Sequence, residues 1–219
     1  MIGTEVIVVG GGPVGLMLAL ELGARGVPTV LVEERTAPTE HPKATLLGAR
    51  SMEHLRRHGL AKEVLAAALP PETNYHISFS TRLAGHELHR VTSPSIGETV
   101  RRPPDVVARY RELHWSPFYK TQIGQQALEP VLWAAAAAKP AVRLLHGWRH
   151  VAHAEDGEGV SATIAEVATG REERLRGRYL VACDGGKSAI RAALGIGMSG
   201  RGRIRPNVSF QFRSDEFLR

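Results

Sequence analysis

A buried-strand pattern that runs directly into three glycines restricts this chain more than any other feature: Val6-Ile7-Val8-Val9-Gly10-Gly11-Gly12-Pro13-Val14-Gly15-Leu16. Val6 to Val9 are continuously apolar and mostly β-branched, the pattern of a parallel strand covered on both faces. Val14 to Gly26 then reads as a buried helix, with Gly26 in a C-terminal cap role and Pro28 just beyond. Thr29 to Val32 is a second short strand, and Glu33 closes it. A Gly-x-Gly-x-x-Gly spacing alone is weak evidence; between a strand and a helix it reads as a dinucleotide-binding fingerprint. Gly10 permits the tight turn, Gly12 lets a pyrophosphate approach the backbone, and Gly15 lets helix and strand pack closely. Pro13 and Val14 belong to the same loop. Free N–H groups and the dipole at the helix start suit an anion there. Glu33, about twenty residues on, is placed to accept from a ribose hydroxyl, and Glu34 beside it joins the candidate set. A 2′-phosphate would be repelled, so this site suits FAD or NAD better than NADP.

The 219 residues suffice for one large or two small domains with a real core. A hydrophobic share of 43% with mixed charge indicates a globular protein. The longest apolar runs fall well short of the roughly 18 residues that span a bilayer. The N-terminus leads straight into the first strand, so the expectation is a protein without a signal peptide. Cys183 is the single cysteine, which excludes an internal disulfide and fits a reducing cytoplasm. Its place at the end of an apolar strand points to packing rather than reactivity. The formal charge of +6 raises the question of nucleic acid. The arginines are scattered, however, as Arg56-Arg57, Arg101-Arg102, and Arg201, Arg203 and Arg205, with no basic helix carrying interleaved aromatics. A phosphate-bearing cofactor or a solvated surface explains the charge more simply.

Further along, Ala49 to Arg57 is an amphipathic helix that ends at Gly59, and Gly124 to Ala138 is a longer one. Leu128, Val131 and Leu132 share a face of the latter, and Lys139-Pro140 stops it. Tyr75 to Ser80 alternates, and Gly85 turns it toward a partner strand over Glu87 to Val91. Ser93 to Pro104 reads as loop. Val142 to Leu145 is a candidate parallel strand. Runs near Trp148 to Ala154, Gly159 to Val167 and Arg171 to Arg176, separated by Asp156-Gly157 and Thr169-Gly170, read as a meander. Arg178 to Cys183 is another strand, a short helix runs through Arg191, and Val208 to Phe212 begins one more strand. His146, His150 and His153, and the pair His86 and His89, do not make a metal site by spacing, because ligands on a strand need even separation to share a face.

The stretch Arg178-Tyr-Leu-Val-Ala-Cys-Asp184-Gly185-Gly186-Lys187-Ser188-Ala189-Ile190-Arg191 is the second strong signal. Together with the glycine loop it resembles the single-component flavoprotein aromatic hydroxylases, the family of para-hydroxybenzoate and phenol hydroxylases. Their second fingerprint is a basic residue, an apolar strand, two small residues, Asp-Gly, then Ser and Arg at set offsets. The resemblance implies an α/β fold: a Rossmann-like FAD-binding domain of the glutathione-reductase type, with a parallel sheet plus β-meander and an incomplete inserted substrate-domain sheet. It implies FAD as cofactor, NADPH or NADH as transient reductant, and hydroxylation of a small aromatic substrate, phenolic or polyketide-like. Asp184, Gly185, Ser188 and Arg191 would then serve the cofactor from the second loop. His41-Pro42-Lys43-Ala44 and Gly48-Ala49-Arg50-Ser51-Met52-Glu53 look like the phenol hydroxylase segment that makes Lys43 and Arg50 candidates for the FAD phosphates or flavin side. Gln125 matches the position whose amide contacts the flavin ribityl chain.

On this resemblance, residues 1–72 and 113–195 are two parts of the FAD-binding domain. Residues 73–112 are an inserted substrate-domain segment, and 196–219 begin a truncated substrate domain. A third family fingerprint, of Gly-Asp-Ala type, has no counterpart after Arg191. The expectation is therefore an N-terminal piece of a longer enzyme, with its catalytic pocket residues beyond Arg219. Tyr75, His76, Phe79 and Tyr110 are the aromatics nearest such a pocket, with packing as their expected role. The edge at Val208 to Phe212 leads to an expectation of self-association. Two alternatives stay open. One is a related FAD-dependent reductase or halogenase, although Trp115, Trp133 and Trp148 form no Trp-x-Trp-x-Ile-Pro stretch. The other is a truncated, non-catalytic dinucleotide-binding fragment.

Overall fold

The computed structural model describes residues 1–41, 43–74, 76–82, 85–101, 116–202, 206 and 208–210. Its elements in chain order are β1 (Ile2–Gly3), β2 (Val6–Val9), α1 (Pro13–Ala24), β3 (Thr29–Glu33), β4 (Leu46–Leu47), α2 (Ala49–Arg57), α3 (Ala61–Ala67), β5 (Ile77–Ser80) and β6 (Glu87–Val91). They continue as α4 (Ile96–Arg101), β7 (Thr121–Gln122), α5 (Gln125–Ala137), β8 (Val142–His146), β9 (Trp148–Asp156), β10 (Gly159–Glu166), β11 (Glu172–Gly177), β12 (Tyr179–Ala182) and α6 (Ala189–Ala193). The chain divides into two units, Met1–His41 with Leu132–Arg219, and Pro42–Val131.

The first unit is built on two sheets. Strands β12, β2, β3 and β8 lie side by side in that order, all parallel, with Val6 opposite Thr29 and Tyr179, and Thr29 opposite Val142. A parallel sheet must be covered on both faces, and β2 and β3 are buried at every position. Helix α1 packs on β2, β3 and β8 with Leu16, Ala19 and Leu20 buried. On the opposite face Ile7, Val9, Val30 and Val32 form one core with Ala162, Ile164, Leu175 and Ile190. Ile190 comes from α6, and the other three from the second sheet, ordered β1-β11-β10-β9, whose β9, β10 and β11 form the antiparallel meander. The Asp156-Gly157 turn is held by Asp156 Oδ1, which accepts from the N–H of Glu158 at 2.9 Å and of Gly159 at 3.1 Å. Arg176 then closes the hairpin end through two bonds to the same carboxylate, at 2.6 and 2.7 Å.

The second unit carries α2 packed on α3, with Met52, Leu55 and Val64 buried, the short β4–β7 ladder, and the β5–β6 hairpin. The hairpin pairs Ile77 with Val91 and Phe79 with His89, and both strands are exposed throughout.

Three sequence expectations change. Ile96–Arg101 is a helix rather than loop, because Ser95 and Glu98 form a reciprocal capping box: Ser95 N–H donates to Glu98 Oε2 at 2.8 Å, and Glu98 N–H to Ser95 Oγ at 3.1 Å. Val208 to Phe210 form no strand and pair with none of the described strands, and residues 211 and 212 lie outside the described set. His150 and His153, at odd separation, have ring centroids 5.3 Å apart, because the β9–β10 register skips Val151 and a bulge resets the alternation. Tyr75, Tyr110, Trp115 and residues 102–104 also lie outside the described residues. Helix α5 carries Leu128, Val131 and Leu132 buried as expected, and accommodates Pro130, which offers no N–H to the Gln126 carbonyl.

Ile7 is fully buried and joins the parallel sheet to the meander core. Ile7→Ala is expected to lower the unfolding free energy by about 3 kcal/mol and Ile7→Val by about 1. Urea unfolding followed by circular dichroism checks both.

Candidate functional site

Ligands of open parallel sheets sit beyond the carboxyl ends of the strands, and here those ends bring together most of the predicted residues of the first unit. Strand β2 runs into Gly10, β3 ends at Glu33, and β12 leads to Cys183 and Asp184. The main chains touch at this edge. Gly10 N–H donates to Val32 O at 2.8 Å, and Cys183 N–H to Val9 O at 2.7 Å. Gly10 has φ +106°, and a Cβ there would lie 2.4 Å from the Cys183 carbonyl oxygen. A Cβ on Gly15 would lie 1.9 Å from the Gly10 oxygen. On Gly11 it would lie 2.7 Å from the Glu33 Cβ. Gly12 differs from all three: a Cβ there would meet nothing within 4 Å. The first three glycines answer to protein contacts, whereas no protein contact accounts for Gly12.

The donor set matches that open space. Gly12 is the N-cap of α1, Pro13 sits at the helix start, no side chain caps the end, and no acidic residue lies in the first turn. The first helical bond is Leu16 N–H to Gly12 O at 2.9 Å. The N–H groups of Gly12, Val14 and Gly15 therefore precede the ladder, at the positive end of the helix dipole. Val14 is 72% exposed despite its apolar side chain. An uncapped helix end beside an open glycine fits a phosphate-bearing dinucleotide.

Glu33 is 5% exposed. Its Oε2 accepts from Gly11 N–H at 2.5 Å, and its Oε1 from the Arg35 N–H at 2.9 Å and Arg35 Nε at 2.8 Å. Burial alone pushes this carboxyl up, but Arg35 and the two backbone donors outweigh it and hold the carboxyl below its usual range. A carboxylate offers about four acceptor positions, so these three bonds leave capacity for a further hydroxyl donor. Glu34, next along, is exposed.

On the second loop, burial also works against the Asp184 charge. The Ser188 hydroxyl and the N–H groups of Ile190 and Ala189 prevail, and the carboxyl lies below its ordinary value. Ser188 caps α6 by accepting from Arg191 N–H at 3.0 Å, and Arg191 Nη1 donates to Gly186 O at 2.9 Å. The loop through Gly185, at φ +83°, is thus tied by its own Ser and Arg. Cys183 is half-buried, and burial together with Asp184 pushes its thiol up, away from thiolate chemistry.

Lys43, Arg50 and Gln125 belong to the second unit. Lys43 is exposed. Arg50 is exposed and pairs with Glu53 at 2.6 Å. Gln125 is buried as the first residue of α5, with Nε2 donating to Glu129 Oε1 at 2.6 Å and its N–H to Ala44 O at 2.9 Å. Sequence reasoning missed three residues of the first unit. Arg35 braces Glu33, Trp133 donates from Nε1 to Gly11 O at 3.3 Å, and His146 stacks on Trp133 with centroids 3.9 Å apart. Only Arg35 carried a local signal, its position two residues after the acid. Among the described residues no group of three or more His, Cys, Asp or Glu is arranged to hold a metal ion, and no helix is long and apolar enough to cross a membrane.

Comparison with known proteins agrees with this geometry. A family profile described as an FAD binding domain matches residues 3–217. The chain belongs to that FAD-binding-domain family. It is 35% identical over 210 residues to 4-methyl-5-nitrocatechol 5-monooxygenase of a Burkholderia species, a match covering 96% of this chain and 36% of that protein. It is 32% identical over 196 residues to phenol 2-monooxygenase of a Pseudomonas species (strain EST1001), covering 90% of this chain and 31% of the relative. Among solved structures, the flavin-dependent monooxygenase PieE in complex with FAD and substrate superposes with a TM-score of 0.77 at 35% identity, covering 91% of this chain and 33% of that one. The chain thus spans about a third of the length of these relatives.

The depressed Glu33 carboxyl has a pH signature. A carboxylate whose folded pKa is lowered stabilises the fold fully above its ordinary value of 4.5 and loses that contribution as pH falls through the folded value. Glu33→Gln is expected to cost about 2 kcal/mol at pH 7, the scale of charge-assisted hydrogen bonds. The gap to wild type should narrow below pH 4.5. Urea unfolding at pH 7 and pH 4 measures it.

Proposed function

We propose that this chain is the FAD-holding part of a flavin-dependent monooxygenase that hydroxylates an aromatic substrate, phenolic or polyketide-like, with NADH or NADPH as reductant. The observation that carries the reading is the open space over Gly12, bordered by unbonded helix N–H groups and the Glu33 carboxylate. Relatives that are named as phenol and nitrocatechol monooxygenases, and others named as an aklavinone and a polyketide hydroxylase, support an aromatic substrate.

In this reading the N–H groups of Gly12, Val14 and Gly15 hold the pyrophosphate, and Pro13 fixes the start of the helix that presents them. Gly10 and Gly15 let strand and helix close beneath it. Glu33 accepts a ribose hydroxyl with its remaining lone pair and rejects a 2′-phosphate by charge; Glu34 adds negative potential on the same side. Asp184 and Gly185 approach the pyrophosphate from the second loop, which Ser188 and Arg191 keep in shape. The family resemblance keeps Lys43 and Arg50 as candidates for the FAD phosphates or the flavin side, and Gln125 for the ribityl chain. The flavin itself supplies electron transfer from the nicotinamide and activation of oxygen. Residues 1–72 and 113–195 form the cofactor domain, and 73–112 and 196–219 belong with the part that receives the aromatic substrate. The lone thiol of Cys183 suits a reducing cytoplasm.

The test compares two glycines. Incubated with excess FAD and desalted, the wild-type chain should retain the flavin absorption bands. Gly12→Ala should keep wild-type stability or gain about 0.5 kcal/mol, since its backbone suits alanine, yet lose the bound flavin. Gly15→Ala, which drives a carbon into the Gly10 carbonyl, should lose about 1–3 kcal/mol of stability as well. A wild-type chain that stays colourless, or a Gly12→Ala chain that binds as wild type does, contradicts the reading.

A further inference from the structure

Gly11 is gripped on both sides, and only one grip belongs to the glycine fingerprint. Its N–H donates to Glu33 Oε2, while its carbonyl accepts from Trp133 Nε1, 122 positions away on α5. The Trp133 indole is in turn stacked on the His146 imidazole, with 18° between the ring planes. His146 closes β8 directly opposite Glu33 on β3, so neighbouring strands back both grips.

The consequence follows from peptide geometry. A trans peptide is planar, and its C=O and N–H point in opposite directions. With the Gly11 carbonyl turned to Trp133, the Gly12 N–H of the same peptide is turned the other way. That peptide lies between two glycines and follows a third, where the backbone has the least intrinsic preference for one orientation. Something outside the loop must hold the plane if the N–H is to stay presented.

We infer that Trp133 is a positioning residue for the dinucleotide: by holding the Gly11 carbonyl it keeps the Gly12 N–H directed at the pyrophosphate. His146 supports it by stacking, which fixes the indole plane. The inference rests on the proposed function for the identity of the ligand, but the hold on the peptide is a property of the chain without any ligand.

The experiment uses the full 219-residue chain with two replacements at position 133. Trp133→Phe removes the donor and part of the ring. The benzothienyl analogue of tryptophan keeps size and stacking and replaces only the ring N–H by sulfur. In the ligand-free chain both should shift the Gly12 amide signal in ¹⁵N–¹H spectra and speed its hydrogen exchange, while the sulfur analogue lowers the thermal midpoint by only about 2–4 °C, the loss of one hydrogen bond. With FAD, each should weaken binding about tenfold, the loss of one hydrogen bond to the loop. A sulfur analogue that leaves the Gly12 amide unmoved, or that binds FAD with wild-type affinity, overturns the inference. If wild type takes up no FAD, the proposed function fails for this chain, and the Gly12 amide alone still decides whether Trp133 holds the peptide.

Discussion

The first unit depends on one close approach of backbones: the Gly10 carbonyl against the start of α1 at Gly15, with the Cys183 carbonyl against Gly10 on the other side. Any side chain at Gly10 or Gly15 would push strand and helix apart, and the parallel sheet could not keep α1 across β2, β3 and β8. Because the contact is made at the carboxyl ends of the strands, it also delivers Glu33 and Asp184 to the same edge. Packing and site are therefore one constraint. Gly12 is the residue of the loop that packing leaves free, and the proposed function places the pyrophosphate there.

The electrostatics follow from that geometry. Glu33 and Asp184 are both disfavoured as charges by burial, and both are held ionised by donors from nearby residues. Arg35 does this for Glu33 with a side chain and a backbone N–H, while Ser188 and the start of α6 do it for Asp184. Under the proposed function, two fixed carboxylates beside an uncapped helix end would take phosphate at one point and repel it at another. Such a pattern would distinguish a dinucleotide with a free ribose from one carrying a 2′-phosphate.

Much of this was legible in the residues. The uninterrupted apolar run of β2 announced a doubly covered parallel strand. The amphipathic run over Ala49–Arg57, ended by Gly59, gave a helix at those bounds, and the turns at Asp156-Gly157 and Thr169-Gly170 marked the meander. Helix α4 was legible too: Ser95-x-x-Glu98 is a capping box, overlooked because proline, serine and glycine around it suggested loop. Helix α3 is seven residues long with no side-chain cap, and gave no boundary to read. The pairing of His150 with His153 depends on a bulge that only the neighbouring strand reveals. The Trp133 hold on Gly11 joins residues 122 positions apart, and no local period encodes it.

The central claim is that the glycine loop and the Asp184 loop grip one pyrophosphate. Titrating FAD into the ¹⁵N-labelled chain and following each backbone amide tests it most directly. Saturable shifts are expected at Gly12, Val14, Gly15 and Gly185, with the meander amides of β9 and β10 nearly still. Saturable binding that leaves those four amides unmoved would contradict it.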